Sequence, residues 1–529
     1  MDKKLLRSSI FRHLDGIVTA TVIAALSQKN ILQFILDKKE LKLSEIAQEF
    51  PANEGYLNVA LRILASQNYL NYHIDNQNDL IQISINENSE KAFSFQNIYV
   101  DLSQFLSDED LIKSREITEE LCRKWIQLFD KYKSLLVEKS DENSLEFQLK
   151  KHIEGVLIGP IIVKLGMSGM FHKYFMEASF SAGEFHRNPE CFETILDYLS
   201  ELGWFTKRNK NFQFTETGLF FARRAPAYGV TVSYLPMFSK LQNLLFGKAN
   251  EIREIEIGDD EIHVDREMNV WGSGGAHSTY FKVLDEFIIE IFNRPIHEQP
   301  KGILDMGCGN GALLQHLYEV IERQTLRGKQ LEEHPLFLVG ADFNQAALKV
   351  TRANLIKNDI WAKVIWGDIG NPQKLSEDLK CDYNIELGEL LNIRTFLDHN
   401  RIWEDVAELN SERISTSTGA FSFRGKRLSN QEVEENLLLH LKKWTPYVER
   451  FGLLLIELHT LPPAITSKNL GKTAATAYDA THGFSDQYIV EVDVFHKICM
   501  ESGLNPDRNL FKKFPDSELA TVSINLLKK

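Results

Sequence analysis

An apolar strand that runs directly into a glycine-rich loop is the feature that most constrains the fold of this chain. Residues 303–306 are apolar apart from Asp305, and the helix-forming segment 312–317 follows the loop. Glycine occupies every second position between them, at Gly307, Gly309 and Gly311. A strand, a glycine loop and a helix in this order let a ligand approach the backbone and direct helix N–H groups toward it. The segment therefore predicts an α/β domain with a ligand site at this loop.

The C-terminal half alternates strand-like and helix-like segments, which is typical of a parallel sheet with helices on both faces. Strands are predicted at 302–306, 336–341, 363–366, 382–387 and 452–458. The tail segments 507–512 and 519–526 predict an antiparallel pair that completes the sheet. Residues 270–529 are therefore predicted to form one α/β domain.

Two segments of the N-terminal half repeat one order of elements: a short helix, a longer helix and two short strands with alternating polarity. Leu61 and Leu64 of the first segment correspond to Leu196 and Leu199 of the second at a common offset. This order predicts winged-helix-like modules, mostly helical, over 1–100 and 151–250. The charged segment 101–150 is predicted to be a helical connector or lid.

Two further segments have a distinctive composition. The acidic run from residue 251 to residue 265 has little apolar content and is interpreted as the linker into the last domain. The glycine-rich segment 272–275 follows it and is interpreted as a hinge, with closure over the ligand as the alternative.

Charge and composition limit the classes of function. The net charge of -14 argues against a nucleic-acid partner, which normally meets a basic surface. The five cysteines are scattered without a Cys-x-x-Cys pair, which favours free thiols in a reducing compartment. The N-terminus lacks a signal-peptide core, and the longest apolar runs, such as 453–456, are too short to span a bilayer. A cytoplasmic protein with no membrane partner, either a monomer or a homodimer, is the expectation.

Two more acids end predicted strands. Asp342 ends the second strand, where a carboxylate can accept hydrogen bonds from both ribose hydroxyls of a nucleoside. Asp368 follows the third strand, and Phe343 and Ile369 come directly after these two acids.

Together with the loop, these acids resemble the cofactor site of class I (Rossmann-like) methyltransferases that use S-adenosylmethionine (SAM). The resemblance implies that the three glycines carry the methionine end of SAM and that Asp305 accepts from its ammonium group. It also implies that Asp342 accepts from the ribose hydroxyls and that Asp368 contacts the adenine amino group, with Phe343 and Ile369 among the cofactor-binding residues.

A dinucleotide-binding loop is the rival interpretation, because Gly307, Gly309 and Ala312 also fit the nicotinamide fingerprint. Asp305 before the first glycine, the additional Gly311 and the acid after the third strand favour SAM. The gap from Gly311 to Asp342 is longer than usual, and the charged stretch 322–333 is interpreted as a surface insertion that accounts for it.

Polar residues follow the last two predicted parallel strands, at the sheet edge where open α/β sheets carry their catalytic groups. The segments 396–401, 457–460 and 481–488 resemble C-methyltransferase domains of bacterial polyketide synthase pathways, of the metal-dependent apratoxin starter-module type. The N-terminal modules share in this resemblance. It implies C-methylation of a malonyl-like thioester carried by an acyl carrier protein.

Enolate chemistry suggests a metal centre. A divalent ion chelated by the two carbonyls of a malonyl group stabilises the enolate as a Lewis acid, and two histidines plus an oxygen ligand suit mononuclear iron or manganese. His459, His482 and Gln487 are the predicted ligands. The substitutes are Asp486, Asp479 and Asp398.

Without a metal, His399 or His459 is predicted to be a general base, oriented by Glu457 or Asp398. Arg401 or Arg394 is the candidate for holding a carboxylate or a carrier phosphate, with a solvated surface role as the alternative. Two other functions stay open at this point: an O-methyltransferase that acts on a small-molecule hydroxyl, and a SAM-sensing regulator whose winged helices bind DNA.

Overall fold

The computed structural model describes residues 2–250, 261–410 and 412–529, which group into two compact units. The first, here called the helical unit, consists of residues 1–276, 420–427 and 462–486. The second, the sheet unit, consists of residues 277–419, 428–461 and 487–529. Most of the predicted acidic linker, residues 251–260, lies outside the described residues. The finer domain boundaries at 100, 150 and 250 stay predictions.

Helices make up most of the first half of the chain. They are α1 (Lys3–Ser27), α2 (Ile31–Lys38), α3 (Leu43–Glu49), α4 (Glu54–Ser66), α5 (Ser89–Ser94), α6 (Gln96–Leu106), α7 (Glu109–Lys113), α8 (Glu119–Val137), α9 (Leu145–Met167), α10 (Lys173–Glu177), α11 (Ala182–Phe185), α12 (Pro189–Glu201), α13 (Glu216–Ala222), α14 (Pro226–Ser233), α15 (Leu235–Phe238), α16 (Leu241–Phe246) and α17 (Arg266–Phe292). The strands between them are β1 (Glu40–Lys42), β2 (Asn71–Asp75), β3 (Leu80–Ser84), β4 (Phe180–Ser181), β5 (Phe205–Arg208) and β6 (Asn211–Phe214).

Helices and strands alternate in the second half. Its strands are β7 (Gly302–Met306), β8 (Phe337–Asp342), β9 (Lys363–Trp366), β10 (Leu390–Thr395), β11 (Phe421–Phe423), β12 (Lys426–Leu428), β13 (Leu453–Leu458), β14 (Asn505–Phe514) and β15 (Val522–Lys528). Its helices are α18 (Ala312–Gln324), α19 (Gln345–Lys357), α20 (Pro372–Tyr383), α21 (Asn430–Val448), α22 (Pro463–Lys468), α23 (Ala475–Gly483) and α24 (Val492–Glu501).

The predicted internal repeat is confirmed by the topology of the helical unit. Each copy runs strand, short helix, longer helix, strand, strand, and each places its third strand between the other two, in the orders β1-β3-β2 and β4-β6-β5. All these pairings are antiparallel. The corresponding leucines of α4 and α12 are buried in both copies, because they occupy the core face of the longer helix.

Two long apolar helices, α1 and α9, cross at very short range inside the helical unit. A Cβ placed on Gly16 would lie 2.3 Å from the Cα of His152, and one on Gly155 would lie 2.3 Å from the carbonyl oxygen of His13. By length and hydropathy α1 is sufficient to cross a membrane, so the expectation that no segment is long enough is wrong. Its apolar window is 89% buried within the protein, which is the pattern of a core helix.

Two further predictions need correction in this unit. Cys122 of α8 and Cys191 of α12 form a disulfide, so the expectation that all the cysteines are free thiols is wrong. The glycine-rich segment 272–275 is part of helix α17 and is not a hinge loop. Gly272 instead allows close packing, since a Cβ there would lie 2.7 Å from the carbonyl carbon of Gly229 in α14.

The helical unit also takes in two segments from the second half of the chain, which contain the β11–β12 hairpin and helices α22 and α23. The guanidinium of Arg62 in α4 pairs with the carboxylate of Asp479 in α23, and both side chains are buried. The hydroxyl of Tyr56 donates to Asp486 at 2.9 Å. Asp479 and Asp486, two of the substitute metal ligands, therefore serve contacts within this unit.

A mostly parallel sheet forms the centre of the sheet unit. Among the described residues it has seven strands in the order β14-β15-β13-β10-β7-β8-β9. Strands β13, β10, β7, β8 and β9 run parallel, and β15 pairs antiparallel with β13 and β14. The chain passes from β7 to β8 and β9 on one side and then returns to β10 on the other. A switch of direction beside β7 opens a crevice at the carboxyl ends of β7 and β10.

The fourth predicted strand was placed too early in the chain. Residues 382–387 contain the end of helix α20, and the strand is β10 (Leu390–Thr395). The helix begins with Pro372 at its first turn and with an Asn371 side chain that accepts from the backbone N–H of Lys374 at 3.1 Å. Its buried Leu375 and Leu379 supply helical periodicity, which the strand assignment overlooked.

We expect Arg62→Met to destabilise the helical unit by about 3–5 kcal/mol, because the substitution leaves Asp479 buried without a compensating cation. Urea titration followed by circular dichroism measures the effect. The double variant Arg62→Met/Asp479→Asn is the matched control and should recover most of the loss. A single variant as stable as the wild-type chain would show that the pair contributes no specific stabilisation.

Candidate active site

The glycine loop after β7 has the backbone that its sequence predicts. Gly307, Gly309 and Gly311 have φ values of +82°, +56° and +80°, a region that side chains disfavour. The N–H groups of Gly307 and Cys308 both donate to the carbonyl oxygen of Ala341, at 2.8 and 3.1 Å. The loop is therefore held against the end of β8, and helix α18 starts directly after it.

Asp305 lies in β7, two residues before the first glycine, and is 1% exposed. Its Oδ1 has no hydrogen-bond partner among the described residues. Burial raises the pKa of Asp305 to about 7, and the nearby charge of Asp342 adds to the shift. A buried carboxylate in this state favours a cationic ligand, and the ammonium group of SAM has the required charge.

Asp342 and Phe343 lie at the carboxyl end of β8. One carboxylate oxygen of Asp342 accepts from the N–H of Gly309 at 2.9 Å and the other accepts from the N–H of Asn344 at 2.8 Å. Phe343 is 57% exposed, and its ring lies 5.5 Å from that of Trp366. Asp342 thus stabilises the loop in addition to its predicted part in ribose binding.

Asp368 and Ile369 follow the end of β9. The Asp368 carboxylate accepts from the N–H of Gly370 at 2.8 Å, and the carbonyl oxygen of Ile369 accepts from the indole N–H of Trp444 at 2.7 Å. Strands β7, β8 and β9 are parallel neighbours, so all the predicted cofactor residues lie along one edge of the sheet. The glycines of the loop and the acids at these strand ends are residue types that suit a SAM site.

His399 and Glu457 form a buried pair at the same edge. Glu457 lies at the end of β13, and His399 lies in the turn after β10. The Glu457 carboxylate forms a hydrogen bond with the Nδ1 of His399. Glu457 also accepts from the backbone N–H of Asp398 at 3.0 Å and of Leu458 at 2.7 Å. His399 is 6% exposed and Glu457 is 2% exposed. A carboxylate on Nδ1 favours the tautomer of the neutral ring that carries its proton on Nδ1.

The turn that carries His399 also contacts the glycine loop. Phe396 has a φ of +54°, which is unusual for a bulky residue and marks a constrained backbone. A Cβ placed on Gly307 would lie 3.0 Å from the Leu397 side chain, so the two segments pack closely. His399 and the predicted SAM loop therefore lie in neighbouring segments of the sheet unit.

A second buried cluster supports this turn. Arg394 of β10 donates to Asp398 at 2.7 Å, and the Nε2 of His440 lies 3.0 Å from the same carboxylate oxygen. Burial alone would raise the pKa of Asp398, but Arg394 and then His440 lower it below its usual range. Sequence analysis missed His440, since a lone histidine on a long helix gives no signal of where it packs.

Arg401 is buried, and its guanidinium makes three hydrogen bonds. Its guanidinium donates to the side chain of Asn436 at 2.6 Å and to the carbonyl oxygens of Asp398 at 3.0 Å and Val433 at 3.3 Å. It also lies over the ring of Tyr488. The backbone N–H of Tyr488 donates to the carbonyl oxygen of His399 at 2.8 Å. These contacts position the His399 turn.

One of the three predicted iron or manganese ligands, His459, has other partners at both of its ring nitrogens. His459 is fully buried, its Nδ1 lies 3.1 Å from the carbonyl oxygen of Val490, and its Nε2 lies 2.6 Å from the hydroxyl of Ser523. His482 is part of helix α23, and its Nδ1 lies 2.8 Å from the carbonyl oxygen of Tyr478. Within the described ranges, no group of three or more His, Cys, Asp or Glu side chains is arranged for a metal ion.

Family comparison agrees with the geometry of this site. The family model for the AprA MT2-like domain matches residues 261–525, half of the chain. The chain belongs to the AprA MT2-like methyltransferase family. The models for the AprA winged helix domain and the AprA N-terminal domain match residues 154–248 and 6–72. Membership identifies the chain as a SAM-dependent methyltransferase with a class I catalytic domain, as the loop and its acids predict.

Comparison with other known proteins adds only general likeness. No curated protein matches this chain. Among solved structures, the mitomycin 7-O-methyltransferase MmcR is 11% identical with a TM-score of 0.39, over 71% of this chain and 97% of that one. Human N-acetylserotonin methyltransferase is 12% identical with a TM-score of 0.39, over 74% and 100%. An O-methyltransferase family protein from Burkholderia thailandensis is 10% identical with a TM-score of 0.40, over 70% and 94%.

We expect SAM binding to weaken as the pH falls through 7, because Asp305 must lose its proton to accept from the ammonium group. With its pKa near 7, the apparent Kd should rise by about a factor of 20 between pH 7.5 and pH 5.5. Isothermal titration calorimetry measures this dependence. Asp305→Asn should bind SAM weakly and with a flat pH profile, and an unchanged slope in that variant would assign the titration to another group.

Proposed function

We propose that this methyltransferase transfers a methyl group to the C2 carbon of a malonyl-like acyl thioester carried by an acyl carrier protein. The observation that carries the proposal is the buried His399–Glu457 pair beside the SAM loop. Bound SAM supplies an electrophilic methyl group and leaves as S-adenosylhomocysteine, so the chain itself must generate the carbon nucleophile. The thioester carbonyl acidifies the C2–H bond, and a positioned histidine is the most common general base for such a proton.

His399 is the proposed general base and Glu457 the residue that orients it. Glu457 fixes the tautomer and stabilises the charged ring once Nε2 has taken the C2 proton. Three hydrogen bonds hold the carboxylate in place, two of them from the backbone. A base whose partner is this constrained needs little reorganisation during proton transfer.

Asp398 and Arg401 are proposed as positioning residues. Asp398 fixes the turn through Arg394 and His440, and Arg401 fixes it through the Asp398 carbonyl. Neither side chain is proposed to contact the substrate. His459 is proposed to be structural, since burial lowers its pKa to about 3 and both of its ring nitrogens already have partners. No step is assigned to iron or manganese, because His459 offers no coordinating nitrogen.

The carrier-bound substrate is supported by the three matching AprA family models and by the resemblance of 396–401 and 457–460 to polyketide C-methyltransferases. The same base would also serve an O-methyltransferase that deprotonates a small-molecule hydroxyl. The chemical step separates the two functions, because only C-methylation breaks a C–H bond.

We expect His399→Asn to lower kcat by about 10²–10⁴-fold, because the variant removes the proton acceptor. Its affinity for SAM should stay within about twofold of the wild-type value, since the loop and Asp305 are intact. Glu457→Gln should retain the fold and show a smaller loss. The control is His297→Asn, which alters a histidine with an 82% exposed side chain in the same unit. Equal activity of His399→Asn and the control would remove His399 from the mechanism.

We expect deuterium from heavy water to enter C2 of malonyl carrier protein when the enzyme is saturated with S-adenosylhomocysteine, as followed by mass spectrometry. Deprotonation of carbon should proceed without methyl transfer, and His399→Asn should reduce its rate to the uncatalysed level. Adding SAM should give methylmalonyl carrier protein. Methylation of a phenol or alcohol, with no exchange at C2, would instead establish the O-methyltransferase.

A further inference from the structure

A basic cavity in the helical unit has no part in the site described above. Its volume is about 950 Å³, within the range of small-molecule sites. Six of its lining residues are cationic: Lys4, Arg7, Arg12, Lys91, Lys468 and Lys472. Three are acidic: Asp2, Glu142 and Glu146. Such an excess of positive charge is notable in a chain whose net charge is -14.

Two of the acids are already engaged by neighbours. Glu146 pairs with Lys91. The Asp2 carboxylate accepts from the backbone N–H groups of Lys4 and Leu5, at 2.8 and 3.3 Å, and so caps helix α1. Within residues 2–250, 261–410 and 412–529 no carboxylate lies within ion-pairing distance of the other cations of the wall, although the charges of Asp15 and Glu142 act on Arg12. The cavity therefore keeps a net positive charge.

Arg12 gives the cavity a partly buried donor. Its Nε is buried without a hydrogen-bond partner in the described part of the chain. One Nη donates a long hydrogen bond of 3.4 Å to the carbonyl oxygen of Glu142, and the guanidinium lies over the ring of Phe147. A planar cation held in this way is suited to an oxyanion.

Gly471 shapes the wall next to this guanidinium. Its φ is +76°, and a Cβ there would lie 2.2 Å from the Ser8 hydroxyl and 2.8 Å from the Arg12 Nε. The loop after α22 can therefore approach α1 only with glycine at this position. Lys468 and Lys472, on either side of it, bring two more cations to the same wall.

We propose that this cavity binds an organic phosphate ester. Phosphate oxygens match both the partly buried guanidinium and the point charges of the lysines. Its concave form favours a small molecule or an extended arm over a flat protein surface. The ligand has two sources with the same chemistry: a free phosphorylated metabolite, or the phosphopantetheine arm of a carrier protein.

Calorimetric titration of the full chain with free phosphopantetheine tests the proposal, with S-adenosylhomocysteine present to occupy the SAM site. We expect binding that weakens with salt, as charge pairing requires. Lys468→Glu/Lys472→Glu should weaken it by about tenfold or more. Lys139→Glu/Lys210→Glu, which changes two exposed lysines outside the cavity wall, should stay within about twofold. Gly471→Ala should also weaken binding, because the new Cβ displaces Arg12.

Titration with carrier protein, with and without its phosphopantetheine arm, distinguishes the sources. Tighter binding of the armed protein than of the free arm identifies the carrier, and equal binding identifies a free metabolite. No binding of the free arm, or binding that neither cavity variant changes, would overturn the proposal. Binding of the unarmed carrier alone would also overturn it, in favour of a protein-docking surface. All these readouts measure binding, so they stand apart from the methyl-transfer mechanism.

Discussion

The hydrogen bonds of the Glu457 carboxylate are the interactions on which the candidate active site depends. The carboxylate lies at the end of β13 and accepts from its own strand through the N–H of Leu458, from the turn after β10 through the N–H of Asp398, and from the ring of His399. One buried group therefore fixes the spacing of two strand ends and the tautomer of His399, the proposed base. Removing it would leave two buried N–H groups without an acceptor, in addition to an unoriented imidazole.

The turn that Glu457 holds is unusual in its backbone, and its neighbours compensate for this. Phe396 adopts a positive φ, yet its N–H still donates to the carbonyl oxygen of Ile456 at 2.7 Å. The Arg394–Asp398–His440 cluster anchors the turn, as do Arg401 and the backbone N–H of Tyr488. Constrained backbone persists at such sites because the surrounding contacts over-determine it.

Local patterns in the sequence predict the strand, glycine loop and helix of the sheet unit well, and the neighbouring strand ends only in part. The loop is formed by consecutive residues, so the spacing of Asp305 and the three glycines is sufficient to predict it. The predicted fourth strand, 382–387, lies too early because Asn371 and Pro372 start helix α20. His399 nevertheless lies just beyond the observed strand, β10. The partners of His459, at Val490 and Ser523, lie 31 and 64 residues away, and no local pattern reveals such contacts. The same holds for His440 and Asp398.

Two buried carboxylates of the site show how its charge is arranged. Burial raises the pKa of Asp305 to about 7, with Asp342 adding to the effect, and its Oδ1 has no partner in the described structure. Asp398 is equally buried, but Arg394 and His440 outweigh desolvation and lower its pKa. The protein thus supplies its own cation at Asp398, which positions the turn of the proposed base, His399. Asp305, which precedes the glycine loop, has no such cation among the described residues, and in the proposed complex the ammonium group of SAM compensates its charge. A carboxylate compensated in advance by an arginine would gain much less from binding SAM.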